Sequence, residues 1–387
     1  NIPALITAAE MTGCDAIFPG YGFLSENQDF VEICKLHNIK FIGPSSEVME
    51  KMADKSKAKE EMVRAGVPVV PGSKGAVRTL DEGKKIAREI GYPIMAKASA
   101  GGGGRGMRLI KEEKDFDSQY LAASSEALAA FGDGTMYLER FINNPRHIEV
   151  QVIGDSHGNA IHIGERDCSL QRRHQKVIEE SPAILLNDET RAKLHEVAVK
   201  ATKYLKYEGA GTFEFLADDK QNIYFMEMNT RLQVEHPVSE MVSGLDIIEW
   251  MIKVAEGEKL PPQESIRFRG HAIECRITAE DPNNFLPCPG KITQWMVPGG
   301  RNVRVDSHIY TNYIVPPYYD SMIGKLIVWG RDREKAINIM KRALSEFEVE
   351  GIKTNIPFHK KMMENKDFIS NNYDTKYLEN YKGLDSI

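Results

Sequence analysis

Two alternating stretches in the second half of the chain predict a β-hairpin. The first covers residues 211–216, the second begins at Ile223, and both are rich in aromatic and apolar residues. The polar segment 218–222 between them is typical of a turn. A strand places alternate side chains on opposite faces. We therefore expect one face to carry Glu227, Asn229, Arg231, Gln233 and Glu235, and the other to carry Met226, Met228, Leu232 and Val234.

A hairpin that is symmetrical about Lys220 and Gln221 places Glu214 directly opposite Glu227. Side chains opposed in this way have Cβ atoms roughly 5 Å apart, and two like charges there are destabilising. A shared divalent cation would remove the repulsion. Two carboxylates and the amide oxygen of Asn229 are hard ligands, which Mg²⁺ or Mn²⁺ takes beside phosphates. The alternative for this stretch alone is an amphipathic hairpin with a solvated charged face.

The rest of the pattern predicts an α/β protein. A strand over 15–18, a helix near 28–37 and a strand over 39–43 follow the βαβ order of a parallel sheet. The later predicted elements are helices over 44–52, 54–65 and 79–91, strands over 93–98 and 106–110, a helix over 112–130, strands over 136–141, 147–152 and 160–165, a basic loop to residue 176, helices over 188–206 and 245–256, and a mixed tail over 270–380 with helices near 333–348 and 356–365.

Composition narrows the class of protein. The 387 residues are enough for two or three cores, at roughly 100–200 residues per domain. The formal net charge of −6 gives no general attraction to nucleic acid or to an acidic membrane. The five cysteines are odd in number and form no CxxC pair, which favours free thiols in a reducing compartment. No apolar run approaches ~18–20 residues, so we expect no membrane span.

A glycine run is the strongest local signal for nucleotide binding. Five of the six residues 101–106 are glycine, and backbone N–H groups in such a run can approach phosphate oxygens closely. The letters match the dinucleotide-binding pattern, but residues 107–110 look like a strand where that pattern requires a helix. We therefore favour a hairpin lid over a triphosphate, with a simple turn as the alternative. Lys97, on the apolar strand before the run, either meets an α- or β-phosphate or extends to solvent.

Four cations and a histidine lie between Arg166 and Lys176. A nucleic-acid patch is disfavoured because no aromatic residues are interleaved and the protein is acidic. A solvated basic loop and an anion pocket facing the hairpin both remain open. Two further positions carry alternatives: Tyr21 with its glycines forms either a loop at a site or a tight turn, and Arg276 is either functional or in an ion pair with Glu274.

Taken in order, three motifs give the chain a family resemblance. The glycine run, R-D-C-S-L-Q-R-R-H-Q-K over 166–176 and E-M-N-T-R-L-Q-V-E-H-P over 227–237 resemble the biotin carboxylase component of biotin-dependent carboxylases, which are ATP-grasp enzymes. The resemblance runs from F-P-G-Y-G-F-L-S-E-N at 18–27 to P-Y-Y-D-S-M-I-G-K at 317–325. It implies an α/β and α+β chain with a partial N-terminal pre-ATP-grasp domain (1–43), a helical linker (44–68), an ATP-grasp lid (69–141), an ATP-grasp core (142–260) and a C-terminal biotin carboxylase domain (261–387).

The resemblance also implies roles for individual residues. ATP would contact Lys55, Lys97, Gly101, Gly102, Gly103, Gly104, His147, Gln171 and His174, with the adenine held by Glu139 and the backbone of Arg140 and Ile142. Magnesium or manganese would be held by Glu214, Glu227 and Asn229. Bicarbonate would be held by Lys176, Arg231, Gln233, the Val234 amide and Glu235, with Glu235 as general base. Tyr21, Gly22 and Arg276 would lie at the ureido ring of biotin.

The implied reaction is ATP- and bicarbonate-dependent carboxylation of biotin N1′ through carboxyphosphate. The sequence contains no A-M-K-M biotin-attachment motif, so we expect biotin on a separate carrier protein, with carboxyltransferase partners in an acetyl-CoA, related acyl-CoA or pyruvate carboxylase. The family has a further βαβ stretch before the position of Asn1, so we expect a longer cytoplasmic protein that forms a homodimer. The alternatives are another ATP-grasp ligase, of the carbamoyl-phosphate type, and a non-catalytic ATP-binding module.

Overall fold

A computed structural model describes residues 1–77, 79–98, 106–173, 175–379 and 381–386. The predicted ATP contacts Gly101–Gly104 and His174 lie outside these residues. The described helices are α1 (Ile2–Thr12), α2 (Gln28–Leu36), α3 (Ser46–Ala53), α4 (Lys55–Ala65), α5 (Leu80–Ile90), α6 (Phe116–Phe131), α7 (Asp188–Tyr204), α8 (His236–Ser243), α9 (Ile247–Ala255), α10 (Arg333–Glu346), α11 (Ile356–Glu364) and α12 (Lys366–Ile369).

The described strands follow the same chain order. They are β1 (Ala16–Ile17), β2 (Lys40–Phe41), β3 (Ile94–Ala98), β4 (Met107–Ile110), β5 (Met136–Arg140), β6 (Arg146–Gly154), β7 (Ala160–Arg172), β8 (Gln175–Ser181), β9 (Gly209–Ala217), β10 (Ile223–Asn229), β11 (His271–Thr278), β12 (Gly290–Lys291), β13 (Gln294–Met296), β14 (Val303–Asp306), β15 (Ile314–Val315), β16 (Met322–Gly330) and β17 (Glu348–Glu350). No helix in the described ranges has both the length and the apolar character to cross a membrane.

One large antiparallel sheet organises the molecule. Among the described residues it has eight strands, in the order β10-β9-β6-β7-β8-β11-β16-β14. The predicted boundary at residue 260 falls inside it, because β11, which follows that residue, pairs with β8, which precedes it. A separate three-stranded sheet, β4-β3-β5, forms the smaller unit, and β1 pairs with β2 in parallel, as the βαβ pattern predicted.

Local signals explain where the helices begin and end. The side chain of Thr79 caps the start of α5, since its hydroxyl accepts a hydrogen bond from the N–H of Glu82. Gly91 ends the same helix with φ of 85°, a left-handed conformation that costs glycine little.

The apolar residues form separate cores on these elements. One core lies between the large sheet and helices α4 and α7, and includes Ile148, Phe213 and Leu194. A second covers the far end of the same sheet under α10 and α11. Fully burying an apolar side chain of this size contributes about 1.5–3 kcal/mol to the stability of the fold. The cores therefore hold the strands in place, and the opposite faces of those strands carry the charged residues.

Two predicted elements were wrong. The basic loop over 165–176 is a hairpin, because β7 continues to Arg172 and β8 starts at Gln175. Glu165, Arg166 and Asp167 are buried, whereas Arg173 is exposed. The second strand of the first hairpin ends at Asn229 instead of continuing to Glu235. Residues 230–235 form a loop that leads into α8, a helix that the sequence pattern did not predict.

Candidate active site

Four charged side chains form one row across the large sheet. Arg166 on β7 lies opposite Glu149 on β6, and Glu149 lies opposite Glu214 on β9. Glu214 in turn lies opposite Glu227 on β10, which confirms the predicted opposition of these two carboxylates. Directly opposed side chains interact strongly, so the row concentrates charge on one face of the sheet.

A β-bulge at Met226 brings the two metal-ligand candidates together. Nearer the turn, Phe225 pairs with Phe215, and that register would place Met226 opposite Glu214. The register shifts between Phe225 and Glu227, so Glu227 takes the place opposite Glu214. One extra residue on a bulged strand changes which side chain faces the partner strand. The opposition of the carboxylates therefore depends on the bulge as well as on alternation.

Lys176, at the start of β8, joins three of the carboxylates. Its Nζ donates to Glu149 Oε2 at 2.5 Å, to Glu214 Oε1 at 2.8 Å and to Glu235 Oε1 at 2.6 Å. Burial disfavours the charged ammonium, but the three carboxylates outweigh burial and raise the pKa of Lys176 well above its usual value. Although burial favours the neutral acids, Lys176 also helps to hold the pKa values of Glu214 and Glu235 below their usual range.

His147, a predicted ATP contact, lies beside this cluster. Its Nε2 is 3.2 Å from Glu214 Oε2, and the side-chain amide of Gln171 is 2.9 Å from its Nδ1. Burial disfavours the imidazolium, but the Glu214 carboxylate outweighs burial and raises the pKa of His147 to about 9. The imidazole is therefore positively charged at neutral pH, which suits contact with phosphate.

Arg166 is hydrogen-bonded to the cluster through Glu149. It was not predicted as a site residue. Its guanidinium is fully buried and donates hydrogen bonds from Nε, Nη1 and Nη2. The acceptors are Glu149, Gln151, Ser239, Thr212 and Gln233. Glu149 and Gln151 alternate along β6, and this polar face was the sequence signal for the partners of Arg166. The predicted loop over 166–176 did not place Arg166 on a strand beside them.

Glu235 and Arg276 meet at the other side of Lys176. Glu235 precedes α8, and its Oε2 accepts from Arg276 Nη2 at 3.0 Å. Arg276 Nε donates to Glu179 Oε1 at 2.5 Å. The alternative ion pair of Arg276 with Glu274 is therefore wrong, because Arg276 is paired with two other carboxylates.

The loop over 230–235 is tied to the sheet at several points. Lys325 Nζ donates to the carbonyl of Val234 at 2.6 Å. Gln233 Nε2 donates to Glu214 Oε1 at 2.8 Å. Arg231 donates from Nε to Glu26 Oε2 at 2.8 Å and from Nη2 to Asn229 Oδ1 at 2.9 Å. These contacts bring Gln233 and Glu235 to the site although neither residue is on a strand.

The predicted nucleotide residues of the smaller unit form an ion-pair group. Lys97 Nζ donates to Glu139 Oε2 at 2.5 Å, and Lys59, which was not predicted, donates to Glu139 Oε1. Although burial favours the neutral acid, the two lysines hold the pKa of Glu139 below its usual value. Lys97 thus pairs with a carboxylate of its own sheet, which is neither the phosphate contact nor the extension to solvent that the sequence predicted. The Arg140 N–H is bound to the carbonyl of Pro71, and Ile142 is buried.

A cleft of about 230 Å³ opens beside Glu227 and Asn229. Lys55 and Glu26 also line it, and Lys55 Nζ is 3.7 Å from Glu227 Oε2. Tyr21 and Gly22 lie on the loop after β1, where Gly22 has φ of 81°. Burial raises the pKa of Tyr21, and Glu274 and Arg276 are its strongest charged neighbours, so the Tyr21 loop is close to the arginine strand β11.

The hairpin carries the three residues predicted to hold a divalent hard cation, and the amide oxygen of Asn229 accepts from Arg231 Nη2 at 2.9 Å. Glu214 and Glu227 are opposed, Glu227 faces the cleft, and the amide of Asn229 lies beside Glu214, donating to its Oε1 at 2.9 Å. Two groups in the described residues have ligand atoms within 4.8 Å of one another, and each contains an imidazole (His147) or a thiol (Cys168). Magnesium and manganese prefer oxygen ligands, so Glu214, Glu227 and Asn229 suit them better.

Glu227→Gln is expected to weaken binding of divalent cation in the presence of ATP by about tenfold or more, because it removes one carboxylate charge from the ligand set. Electron paramagnetic resonance of Mn²⁺ titrated into protein with a non-hydrolysable ATP analogue measures this directly. Glu208→Gln, at a partly exposed glutamate that pairs with Lys40 at 3.4 Å, is the control and should bind like the parent. Equal Mn²⁺ affinity in all three proteins would rule out Glu227 as a ligand.

Comparison with known proteins gives the family. The model for the biotin carboxylase N-terminal domain matches residues 1–49, that for the carbamoyl-phosphate synthase L chain ATP-binding domain matches 54–263, and that for the biotin carboxylase C-terminal domain matches 274–380. A biotin carboxylase from Nostoc is 56% identical over 381 residues, covering 98% of this chain and 85% of that protein. Biotin carboxylase 1 of Bacillus subtilis is 52% identical over 389 residues, covering 100% and 86%.

Solved structures agree with the sequence comparisons. A biotin carboxylase complex from Campylobacter jejuni is 69% identical, with a TM-score of 0.91 over 98% of this chain and 85% of that chain. The biotin carboxylase domain of Hydrogenobacter thermophilus 2-oxoglutarate carboxylase, solved with magnesium ADP and bicarbonate, is 51% identical, with a TM-score of 0.88 over 98% and 84%. These neighbours confirm the predicted ATP-grasp fold. The chain belongs to the biotin carboxylase family.

Proposed function

We propose that the residues around Lys176 carry out the ATP- and bicarbonate-dependent carboxylation of biotin. The contact of Glu235 with both Lys176 and Arg276 is the observation that carries this proposal. It sets a buried carboxylate between two cations, at the meeting point of the metal-ligand hairpin and the arginine strand. One anion bound between these cations would be close both to the predicted phosphate site and to the predicted biotin site.

The first step is activation of bicarbonate by Glu235. The carboxylate is ionised at neutral pH, because Lys176 and Arg276 help to hold its pKa below the usual value although burial opposes ionisation. Bicarbonate bound to the same cations would draw their charge away from Glu235. That transfer raises the basicity of Glu235 and lowers the proton affinity of bicarbonate, so the proton passes to the carboxylate.

The second step is phosphoryl transfer. An oxygen of bicarbonate bonds to the γ-phosphorus, the bond from that phosphorus to the β–γ bridging oxygen breaks, and carboxyphosphate and ADP form. The protein's contribution to such a transfer is positioning and neutralisation of charge. Lys55, Lys97, His147 and the glycine run are the proposed phosphate contacts. Magnesium held by Glu214, Glu227 and Asn229 would neutralise charge on the phosphate oxygens.

The third step is carboxylation of biotin. Carboxyphosphate separates into carbon dioxide and phosphate, and the phosphate takes the proton from biotin N1′. The nitrogen then bonds to the carbon of carbon dioxide. Loss of the proton places negative charge on the ureido oxygen, which Arg276 is positioned to stabilise beside Tyr21.

We also propose the setting in which this enzyme works. Biotin would arrive on a carrier protein and leave for a carboxyltransferase in the cytoplasm. The relatives include the small subunit of a 2-oxoglutarate carboxylase and a subunit of pyruvate carboxylase, which supports a multi-protein system. The Hydrogenobacter thermophilus structure is described as a dimer, which supports a homodimer for this chain.

ATP hydrolysis measured with and without bicarbonate and free biotin tests the proposal. We expect turnover that requires bicarbonate and rises when biotin is added. Bicarbonate-dependent turnover that ignores biotin would indicate a carbamoyl-phosphate-type ligase instead. Binding of magnesium ATP with no turnover, even with a biotinylated carrier domain present, would indicate a non-catalytic module.

Arg276→Ser is expected to reduce biotin-dependent turnover about 10²–10³-fold, because it removes the donor proposed for the developing ureido oxyanion. Biotin-independent ATP hydrolysis should fall much less, since that reaction does not form the oxyanion. Parallel ATPase assays on parent and variant measure both rates. Equal loss of the two rates would contradict the assignment of Arg276 to biotin.

A further inference from the structure

Two carboxyl groups face each other beneath Arg276. Glu274 on β11 lies directly opposite Glu179 on β8, and both side chains are fully buried. Residues 274 and 276 lie on the same face of β11, because they are two apart in a strand. The opposed pair is thus adjacent to the guanidinium that contacts Glu235. None of the proposed catalytic steps uses either carboxyl.

Three of the four carboxyl oxygens of the pair lack a hydrogen-bond donor among the described residues. Glu179 Oε1 accepts from Arg276 Nε at 2.5 Å, but Glu179 Oε2 has no partner among the described residues. Both oxygens of Glu274 are also without a partner there. An unpaired buried carboxylate is costly, and two opposed carboxylates repel each other. A single proton shared by the two groups removes the repulsion and gives the facing oxygens a hydrogen bond.

Lys325, a cation close to the pair, is already bound to other groups. Lys325 on β16 donates to the Val234 carbonyl at 2.6 Å and is 3.8 Å from Asp306. Above the pair, α8 contributes apolar side chains, including Val238 and Val242, with His236 at its start. The titratable and charged groups around the pair are Arg276 and Cys275 from β11, Lys176 from β8, Cys168 from β7, Lys325 from β16, Glu235 just before α8, and Tyr21 from the loop after β1.

We propose that Glu179 and Glu274 share one proton and together act as the positioning residues of Arg276. This inference rests on the role proposed above for Arg276 in biotin carboxylation. The proton resides on Glu274, because the adjacent guanidinium favours the ionised form of Glu179. Ionised Glu179 holds the Nε edge of Arg276, and neutral Glu274 adds no further charge. The Nη2 edge is thereby directed to Glu235 and to the substrate.

The direction of the titration agrees with this arrangement. Burial raises the pKa of Glu274 well above its usual value, and burial raises the pKa of Glu179 to about 7 even beside Arg276. The pair loses its shared proton only as pH rises through the raised pKa of Glu274, the residue that holds the proton. A second carboxylate then competes with Glu235 and with the ureido oxygen for Arg276, so biotin-dependent turnover should decline.

Thermal unfolding of Glu274→Gln tests the shared proton without any assay of activity. The folded parent retains a proton that the unfolded chain releases above its ordinary carboxyl pKa, so the folded state binds more protons and its stability falls as pH rises. Glutamine has no carboxyl proton to lose, so the variant lacks this dependence on pH. The Tm of the variant relative to the parent should therefore increase as pH rises above the ordinary carboxyl range, because the folded parent holds its proton at a raised pKa. A constant difference in Tm above that range would overturn the proposal.

The pH dependence of kcat tests the positioning role. Glu274→Gln, which imitates the neutral acid, should keep most of the biotin-dependent kcat near neutral pH and lose less of it at alkaline pH than the parent does. Glu179→Gln should lower kcat about 10–100-fold with little change in the KM for biotin, and Glu179→Asp should restore part of it. Glu264→Gln, at an exposed glutamate, should have the parent's pH profile.

The outcomes separate this inference from the proposed function. A pH profile of Glu274→Gln identical to that of the parent would overturn the role of the pair. Infrared spectra of the parent add a further arm that requires no variant, because a protonated carboxyl should be visible near neutral pH and disappear at alkaline pH. If the parent shows no biotin-dependent turnover, the proposed function fails, while the Tm and infrared results still decide whether the proton is shared.

Discussion

Glu235→Gln is expected to lower biotin-stimulated ATP turnover by about 10²–10⁴-fold, because general-base catalysis contributes that much and an amide cannot accept the bicarbonate proton. The affinity for ATP should stay close to that of the parent, since the proposed nucleotide contacts lie on other elements. Steady-state ATPase assays with saturating bicarbonate and biotin give the turnover, and equilibrium titration with a fluorescent ATP analogue gives the affinity.

The control must separate lost chemistry from lost folding. Glu235 is buried between Lys176 and Arg276, so its replacement leaves two cations with one carboxylate fewer. Glu240→Gln, one turn further along α8, also removes a carboxylate from an arginine, since Glu240 accepts from Arg304 at 2.6 Å. That variant should keep far more turnover than Glu235→Gln. Equal losses of turnover and of ATP affinity in Glu235→Gln would contradict the general-base assignment.

Arg166→Met is expected to reduce the free energy of unfolding by about 3–5 kcal/mol, which is typical for breaking a buried ion pair on one side. The substitution leaves Glu149 without the guanidinium that it accepts from at 2.5 Å, and leaves the side-chain acceptors Gln151 and Gln233 without their donor. Chemical denaturation followed by circular dichroism measures the change.

A surface arginine provides the matched control. Arg331 has a side chain that is 84% exposed and pairs with its neighbour Asp332, so Arg331→Met should change stability by less than about 1 kcal/mol. If Arg166→Met is as stable as Arg331→Met, the buried network contributes little, and Arg166 would instead have to be retained for the geometry of Glu149.

The alternation of polar residues was enough to predict the hairpin and its acidic face. Glu214 and Glu227 were expected to be opposed, and they are, because the bulge at Met226 shifts a register that would otherwise place Met226 opposite Glu214. The bulge itself had no sequence signal that we used. Helix starts such as Thr79 were predictable because a side-chain cap acts within one turn of its own helix.

The buried charges could not be predicted from local sequence. The run from Arg166 to Lys176 is polar, and its pattern left a solvated loop and an anion pocket both open. Arg166 is buried because partners on β6, β9 and α8 are brought in by strand pairing over long sequence separations, whereas Arg173 is exposed. The same reason applies to Lys97, whose partner Glu139 is 42 residues away. Period and propensity describe single elements, whereas these ion pairs exist only after the sheets have formed.

The continuous eight-stranded sheet has a consequence for how substrates enter. Its strands carry the acidic hairpin at one edge and Arg276 towards the other, so hydrogen-bonded ladders fix the distance between the metal-ligand side and the biotin side. Neither side can move far from the other without breaking strand pairs. Lys97 and Glu139 belong to the three-stranded sheet, which has no strand in that ladder. We therefore expect the small sheet to move relative to the large one when nucleotide enters or leaves, while bicarbonate and biotin meet on strands that are fixed to each other.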